Sequence, residues 1–562
     1  MILNHDVVVV GGGLAGLMAA LTASRSADVA IVSKLYVTRS HSGAAQGGFN
    51  AAMGDDDTVE AHVFDTVKGS DYLGDQDAIE VLCQEGPEVI LELEAMGVPW
   101  SRTEKGRVAQ RSLGGAAFPR SCYAADFSGH VVLHTLYEQA IKRGIRIYPE
   151  FHLVDLLMEE GRSAGIVAYD LPRAEFVNIR AKAVLFATGG SGRVFAKTSN
   201  ALANTGDGMA VAYRAGAILS DMEFVQFHPT TLYGTNILIS EAARGEGGYL
   251  RNVNGERFMV DTAPGKMELA PRDVVSRAIF REIVEGRGVE GRYVHLDLTH
   301  LGGALIEERL PQVRDLSITY ADVDPVKSPM PIEPAQHYSM GGVRTDTWGA
   351  TAVPGLLAAG ETANLSVHGA NRLGGNSLLE AVVFGRRAGM RLAELAKEEK
   401  LLPPLCAATV EEAAERWQGF MNGEGGEETA KEVIRIRRES AALMTENVGI
   451  YRTGEKVKEA VEKLKTSRAA YAALPVGFKR VPYNYTFLDY LEAGYLLELS
   501  ELIAAGALAR EECRGAHHRL DFPERDDTNF LHHTFATRGP DGALFTKGEV
   551  CITRYQPQVR SY

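Results

Sequence analysis

The first apolar run of the chain is a short β-branched stretch within Asp6–Val10, which leads into the glycine-rich turn Gly11-Gly12-Gly13-Leu14-Ala15-Gly16. An Ala-, Leu- and Met-rich stretch follows, so the pattern predicts a strand, a tight turn and a helix. Gly11, Gly13 and Gly16 match G-x-G-x-x-G, in which unpaired N–H groups at the helix start face a pyrophosphate. We therefore predict a dinucleotide site at this turn.

The second predicted strand, Val29–Val32, is followed by Ser33 and Lys34. The simple NAD pattern would place an acidic residue there to bind a ribose, so a flavin variant of the fold is favoured. The next stretch carries His41 between hydroxyl-bearing residues and a run of small residues. Small residues let the backbone approach a flat ligand closely. This stretch is predicted to be a cofactor seat, in which His41 either lines the site or is bonded to the ligand.

Hydrophobic periodicity predicts helices and strands along the middle of the chain. Helices are predicted over Ala78–Met96 and His130–Arg143, and a strand over Ala183–Thr188 that closes on the glycine pair Gly189-Gly190. A small antiparallel insertion is predicted from three strand-like segments: Arg146–Leu157, Gly165–Asp170 and Phe176–Arg180. Asp207 opens a further helix, where its carboxylate could serve the helix N-terminus or bind a ribose hydroxyl.

Beyond about Leu401 the chain becomes charged and amphipathic, which predicts a helical domain. Its predicted helices are Val410–Phe420, Glu427–Met444 and Gly454–Leu474, and the last stretch of roughly 60 residues is predicted to be polar and irregular. No apolar run approaches the ~18 residues that span a bilayer, and a signal peptide does not fit before the first strand. We expect the chain to be cytoplasmic, or attached to a membrane only through partners.

The chain has 562 residues and a formal net charge of −14, which predicts two to four domains. Such a charge argues against nucleic acid as a partner, although a local pocket can still be cationic. Five separated cysteines contain no C-x-x-C, so local spacing offers no iron–sulfur, zinc or c-type haem site. No metal site is predicted from these residues: Cys83, Cys122, Cys406, Cys513 and Cys551.

Several strings occur in series along almost the whole chain: G-G-G-L-A-G, R-S-H-S-G-A-A-Q-G-G, Q-F-H-P-T, S-E-A-A-R-G-E-G-G, P-R-D-V-V, H-Y-S-M-G-G, H-G-A-N-R-L-G-G-N-S and C-R-G-A-H. Together they resemble the flavoprotein subunits of succinate dehydrogenase and quinol:fumarate reductase, with L-aspartate oxidase as a close cousin. The resemblance implies an α/β fold with a doubly wound, Rossmann-like FAD-binding domain and an α+β capping domain. The implied domains are FAD-binding (1–228 plus 338–405), capping (229–337), helical (406–505) and C-terminal (506–562).

The resemblance also implies how FAD is held. It implies a covalent 8α-histidyl bond at His41, which would raise the flavin potential for succinate oxidation. Aspartate oxidase lacks a histidine at this position, so His41 argues against that enzyme. The alternative role for His41 is to pack beside the flavin ring without a covalent bond. The other implied contacts are Gly11, Gly13, Gly16, Ser33, Lys34, Ala45, Gln46, Gly48, Asp207, Glu361, Ser377 and Leu378.

For a C4 dicarboxylate the family pattern implies a binding set of His228, Ser240, Glu241, His337 and Arg372. Arg372 suits bidentate carboxylate binding. The resemblance assigns the proton-transfer role to Arg272, with Glu241 and Arg244 relaying the proton. The alternative for Arg272 is an ordinary ion pair with Asp273. One departure is Leu113-Gly114-Gly115, where many relatives have Phe-Gly-Gly.

The implied function is oxidation of succinate to fumarate by hydride transfer to FAD. Electrons would pass to a separate iron–sulfur subunit and, through membrane anchor subunits, to quinone. The chain would then lie peripherally on the cytoplasmic side of the cell membrane. Gln46 slightly favours this direction, because some fumarate reductases carry Glu there. The alternatives are a quinol:fumarate reductase and a soluble enzyme similar to L-aspartate oxidase.

Overall fold

The computed structural model describes residues 2–403, 425–540 and 542–560. The predicted helix Val410–Phe420, Cys406 and the domain boundary at 405/406 lie outside the described residues. Within them, no helix combines the length and the apolar character needed to cross a bilayer.

A parallel sheet forms the centre of the FAD-binding region. Its strands follow the order Leu356–Ala358, Ala183–Phe186, Val7–Val10, Val29–Ser33 and Arg146–Pro149. Val7 to Val10 are buried, as expected of a strand covered on both faces. The predicted strand, turn and helix are confirmed, because the helix Leu14–Ala23 begins directly after the glycine turn.

Helices pack around this sheet. Leu14–Ala23 packs against the long helix Asn376–Glu398, so a late segment of the chain completes the domain begun by the first residues. A small sheet of Phe49–Asn50, Ser121–Cys122 and Gln110–Arg111 lies beside it. The remaining helices of this region are Val59–Gly69, Gln76–Met96, Ser128–Lys142 and Asp207–Arg214.

The predicted insertion is mainly antiparallel, but its first strand was predicted wrongly. Arg146–Leu157 is two strands: Arg146–Pro149 in the parallel sheet and Phe151–Glu159 in the insertion. The break is at Glu150, whose positive φ of 61° turns the chain between the two sheets. The second sheet has the order Ile2–Asn4, Glu175–Arg180, Arg162–Asp170 and Phe151–Glu159, and its edge strand Ile2–Asn4 pairs in parallel.

The capping region has its own sheet and its own hydrophobic core. Its strands are Val225–Leu232, Met330–Ser339, Val294–Asp297 and Tyr249–Arg251. Its helices are Glu241–Gly245, Met259–Thr262, Arg272–Val284, Gly303–Arg309 and Pro311–Ala321. The separate core runs in sequence from Leu232 to Ile332, while the predicted boundaries at 228/229 and 337/338 fall within two strands that pair with each other.

The later part of the chain contains Glu427–Asn447, Gly454–Ala472 and the long helix Tyr485–Ala509. The sequence analysis missed this last helix, which runs through the boundary proposed at 505/506. It is buried on most of its circumference, so it lacks the one-sided apolar pattern of an amphipathic helix. The final stretch is not wholly irregular, because His533–Gly539 and Gly542–Gly548 pair and extend a sheet with Leu219–Ser220, Gly342–Arg344 and Ala363–Asn364.

Candidate active site

A cavity of about 480 Å³ opens at the carboxyl ends of the parallel strands, and we call its lining the flavin seat. The predicted cofactor residues that line it are Gly11, Gly13, Ser33, Lys34, His41, Ala45, Gln46, Asp207, Glu361, Ser377 and Leu378. Gly16 and Gly48 do not face it. A Cβ on Gly16 would lie 2.0 Å from the Gly11 carbonyl oxygen, and one on Gly48 would lie 2.4 Å from that of Cys122. These two glycines allow the close packing that shapes the seat.

The seat fits a flat, polar heterocycle attached to a dinucleotide. Gly11 has a φ of 116°, and a Cβ there would meet the Ala187 carbonyl oxygen at 2.1 Å, so the turn is pressed against the neighbouring strand. Gln46 donates from Nε2 to the Leu238 carbonyl oxygen at 3.2 Å. Its buried Oε1 has no hydrogen-bond partner among the described residues. Since a buried acceptor normally finds a donor, this oxygen suits an N–H of the bound ring.

Opposite charges are paired in the seat. Lys34 Nζ lies 2.7 Å from Asp207 Oδ2 and 3.1 Å from Glu492 Oε1. Burial alone would lower the pKa of Lys34, but Asp207 and Glu492 raise it. Asp207 is the first residue of its helix, as predicted, and its contact with a ribose remains a prediction.

His41 lies in the short turn His41–Ala44 at the wall of the seat. Burial and the nearby Arg193 lower the pKa of His41 to about 4, so the imidazole is neutral at pH 7. Its Nε2 lies 3.5 Å from Asn200 Nδ2, which also donates to the His337 carbonyl oxygen at 2.7 Å. Asn200 thus connects the seat to the second part of the site.

Two histidines face each other beyond His41. The ring centroids of His228 and His337 are 4.9 Å apart. His228 Nδ1 lies 3.2 Å from the Thr230 backbone nitrogen and 3.1 Å from the Thr230 carbonyl oxygen, so the backbone of Thr230 holds this side of the ring. Burial and Arg272 hold the pKa of both histidines well below the usual range. Both rings are therefore neutral hydrogen-bonding groups at pH 7.

A carboxylate between guanidinium groups lies next to the histidines. Arg272 Nε donates to Glu241 Oε2 at 2.8 Å, and Arg244 Nη2 lies 3.9 Å from Glu241 Oε1. The Gly114 N–H also donates to Glu241 Oε1, so the Leu-Gly-Gly loop supplies a backbone contact. Burial alone would raise the pKa of Glu241, but Arg272 and Arg244 lower it. Arg272, Glu241 and Arg244 lie in series within ion-pair distance, and proton transfer through them stays a prediction.

The alternative for Arg272, an ordinary ion pair with Asp273, is wrong. Asp273 Oδ2 is instead bound by Arg277 at 3.0 Å and by Arg560 at 2.7 Å. Arg272 begins the helix Arg272–Val284, and its Nη1 donates to Gln226 Oε1 at 3.1 Å. The guanidinium is thereby directed towards Glu241 and the histidines.

Arg372 is buried beside the same groups without a carboxylate bonded to it among the described residues. Its guanidinium lies 4.4 Å from the centre of the Tyr338 ring, and its Nε has no hydrogen-bond partner in the described part of the chain. Burial and the neighbouring Arg272 lower the pKa of Arg372 to about 9. The cation is thus available to an external anion.

Behind Arg372 lies a support that the sequence did not reveal. The Tyr338 hydroxyl donates to Glu380 Oε2 at 2.5 Å, and His368 Nε2 lies 3.0 Å from the same oxygen. Tyr338 and His368 belong to strings noted in the sequence, but Glu380 lies within a helix and no local pattern marked it. Tyr338, His368 and Glu380 support Arg372 only because the fold brings distant segments of the chain into contact.

Ser240 caps the short helix Glu241–Gly245, because its Oγ accepts the Ala242 N–H at 3.1 Å. The structure thus brings together all the residues predicted for substrate binding and proton transfer, and all of them except the half-buried His337 are buried. We call this region the dicarboxylate pocket, formed by His228, Ser240, Glu241, Arg244, Arg272, His337 and Arg372.

Comparisons with known proteins agree with this geometry. The FAD binding domain model matches residues 6–378, and the fumarate reductase flavoprotein C-terminal model matches residues 437–562. A fumarate reductase flavoprotein subunit of Mycobacterium tuberculosis is 44% identical over 100% of both chains. A succinate dehydrogenase flavoprotein subunit of Rickettsia bellii is also 44% identical, over 95% of this chain and 93% of its own.

Solved structures give the same result. A mutated FrdA chain of E. coli quinol fumarate reductase superposes with a TM-score of 0.94 at 40% identity, covering 100% of this chain and 99% of its own. Mycobacterium smegmatis Sdh1 in complex with UQ1 has a TM-score of 0.84 at 35% identity, with 99% and 96% coverage. The fold and site define an FAD-binding oxidoreductase with a capping region. The chain belongs to the succinate dehydrogenase and fumarate reductase flavoprotein subunit family.

Proposed function

We propose that this chain oxidises succinate to fumarate with FAD covalently bound at His41, as the flavoprotein subunit of a succinate:quinone oxidoreductase. The observation that carries this proposal is the charge imbalance of the dicarboxylate pocket. Glu241 is bonded to two buried arginines, Arg272 and Arg244, whereas the third, Arg372, has no carboxylate bonded to it among the described residues. Such a site favours a small dianion, because buried cations are stable only with counter-charges.

The two ends of the substrate require different groups. Arg372 binds one carboxylate through its guanidinium fork, which matches carboxylate geometry. His228 and His337 hold the other carboxylate through hydrogen bonds from their rings. Ser240 contributes its hydroxyl proton, since its oxygen already accepts the cap hydrogen bond. Fixing both ends orients the central carbon–carbon bond of the substrate.

When bound, FAD supplies the two-electron acceptance that turns succinate into fumarate. Arg272 moves the accompanying proton, because its guanidinium faces the pocket and is bonded to Glu241. Glu241 and Arg244 pass the proton onward. Arginine normally stays protonated, so this role depends on the fixed carboxylate beside it. In the reverse reaction the same guanidinium donates the proton.

We assign the cofactor contacts to the predicted seat residues. Gln46 Oε1 accepts from the ring, the helix start after Gly13 faces the pyrophosphate, and Asp207 contacts the ribose beside Lys34. A covalent bond at His41 is supported by the neutral state of its imidazole at pH 7, which leaves a nitrogen lone pair able to bond to carbon. Covalent attachment would raise the flavin potential, as succinate oxidation requires.

We further propose that electrons leave through a separate iron–sulfur subunit and reach quinone in membrane anchor subunits. The relatives reported above support this assignment, since one is a chain of a quinol fumarate reductase and another is Sdh1 in complex with UQ1. In this assembly the chain lies peripherally on the cytoplasmic side of the cell membrane. Fumarate reduction is the second candidate direction, because similar relatives carry both names.

A denaturing gel tests the covalent tether. After acid treatment, flavin fluorescence should stay with the wild-type band and be absent from the His41→Ala band. Fluorescence that does not migrate with the wild-type band, or that persists in His41→Ala, would disprove attachment at His41. Peroxide formation with L-aspartate but not with succinate would instead identify an amino-acid oxidase, and copurification of an iron–sulfur polypeptide would support the complex.

A further inference from the structure

Residues 551–560, which we call the strap, cross the surface of the FAD-binding region. Gln76, at the start of its helix, donates its N–H to the Cys551 carbonyl oxygen at 2.9 Å. Its side-chain Oε1 accepts the N–H groups of Arg554 at 2.8 Å and Tyr555 at 2.9 Å. Further along, Arg525 Nη1 donates to the Gln558 carbonyl oxygen at 2.8 Å. The strap is therefore fixed along its length to elements outside the capping region.

The strap brings Arg560 to the capping region beside the pocket. Its Nη2 lies 2.7 Å from Asp273 Oδ2 and 3.2 Å from Asp71 Oδ2. Asp273 belongs to the helix that begins with Arg272, whereas Asp71 belongs to the FAD-binding region. The Asp273 side chain is 0% exposed and that of Arg560 is 10% exposed, so this bridge is shielded from solvent.

Asp273 follows Arg272 directly in the chain and lies in the first turn of the helix that carries the catalytic guanidinium. A buried carboxylate needs compensating cations. Arg277 and Arg560 both bind Asp273 Oδ2, whereas Oδ1 has no hydrogen-bond partner among the described residues. The Arg560 bridge fixes the first turn of this helix against Asp71, and from that turn Arg272 makes its 2.8 Å hydrogen bond to Glu241.

We propose that Arg560 is a positioning residue for proton transfer: by bridging Asp273 to Asp71 from the strap, it fixes the first turn of the helix Arg272–Val284 and so keeps Arg272 on Glu241 in the dicarboxylate pocket. This inference rests on the proposed function. It assigns a role to a residue that is distant in sequence from every family motif noted above. When Arg560 is lost, Asp273 retains Arg277 alone, the first turn loses its bridge to Asp71, and Arg272 is held less firmly on Glu241.

The test compares Arg560→Gln with Arg560→Lys and Arg554→Gln in the FAD-loaded full-length chain. Arg554 is the matched control, because it lies on the same strap but pairs with Glu80 at 2.9 Å and is about half exposed. We expect Arg560→Gln to lower kcat for succinate about tenfold or more with KM little changed, since the loss concerns positioning of the proton-transfer group. Arg560→Lys should recover most of kcat, and Arg554→Gln should stay within about twofold of wild type.

Hydrogen exchange gives a second readout that does not depend on turnover. Arg560→Gln should speed exchange in the first turn of Arg272–Val284, whereas Arg554→Gln should affect the strap alone. An unchanged kcat in folded, FAD-loaded Arg560→Gln, a change in KM alone, or an equal loss in Arg554→Gln would each overturn the inference. A wild-type chain inactive with succinate would instead contradict the proposed function, while the exchange comparison would still test the Arg560 contact.

Discussion

The flavin seat and the dicarboxylate pocket adjoin each other at His337, but they balance charge in opposite ways. In the seat, the one lysine is bonded to two carboxylates, Asp207 and Glu492. In the pocket, Arg372 lies on an aromatic face, and Arg272 and Arg244 share Glu241. Lys34 is thus neutralised before a ligand binds, whereas Arg372 has no carboxylate bonded to it among the described residues.

This difference distinguishes residues that stabilise the fold from residues that bind a ligand. A paired buried ion stabilises the fold only as a pair, so losing one member should affect stability first. An unpaired buried cation instead costs stability and is retained for binding. Substitutions in the seat should therefore change stability and flavin content, and substitutions in the pocket should change kinetics.

The largest effect is expected from Arg272→Gln. Removing the proton-transfer group should lower kcat for succinate by about 10³-fold while flavin content is preserved, because general acid–base groups contribute 10²–10⁴-fold. Steady-state kinetics on FAD-loaded protein measures this. Arg281→Gln, an exposed position on the same helix, is the control. A loss of less than tenfold would remove Arg272 from the relay.

Lys34→Met should destabilise the seat by about 3 kcal/mol, because it leaves two buried carboxylates without their cation. The midpoint temperature of thermal unfolding and the flavin-to-protein ratio should both fall, while KM for succinate in the FAD-loaded fraction should change little. The exposed Lys431, paired with Glu427 and Glu428, provides the control Lys431→Met. If the two variants lose equal stability, the seat does not depend on its ion pairs.

Arg372→Gln should act on binding rather than on stability. Loss of a charge-assisted carboxylate contact should raise KM for succinate by about 10- to 100-fold. Thermal stability should be equal to or higher than that of wild type, because a buried cation without a bonded carboxylate is removed. A variant that loses stability without a change in KM would show that Arg372 is structural.

The smallest of these effects is expected from the ring beneath Arg372. Tyr338→Leu removes a cation–π contact worth about 1 kcal/mol, so KM should rise about fivefold. Tyr338→Phe keeps the ring and should give a smaller rise, although it loses the hydrogen bond to Glu380. Equal effects of the two substitutions would mean that the hydroxyl, rather than the ring, positions Arg372.

The sequence allowed much of the seat to be predicted, because its chemistry lies in contiguous strings. A short local sequence is enough to predict each of three segments: the turn at Gly11, the strand Val29–Ser33 and the His41 stretch. The supports of the pocket could not be predicted in this way. Glu380 meets Tyr338 across 42 positions and Arg560 meets Asp273 across 287. Only the fold brings such partners together.

The same distinction explains the errors in the fold. The long helix Tyr485–Ala509 is buried on most faces, so its sequence lacks amphipathic periodicity. The division of Arg146–Leu157 depends on the single residue Glu150 in a left-handed conformation, which is unusual for glutamate. Neither feature follows from local hydrophobic patterning.

The central claim is that the cationic pocket selects a dianion with a carboxylate at each end. Anaerobic single-turnover bleaching of the bound flavin tests it directly, with succinate compared with its monoamide. We predict rapid bleaching by succinate and bleaching at least about 100-fold slower by the monoamide at equal concentration, since one charged contact is lost. Equal bleaching by both compounds, or bleaching by L-aspartate and not by succinate, would contradict the account.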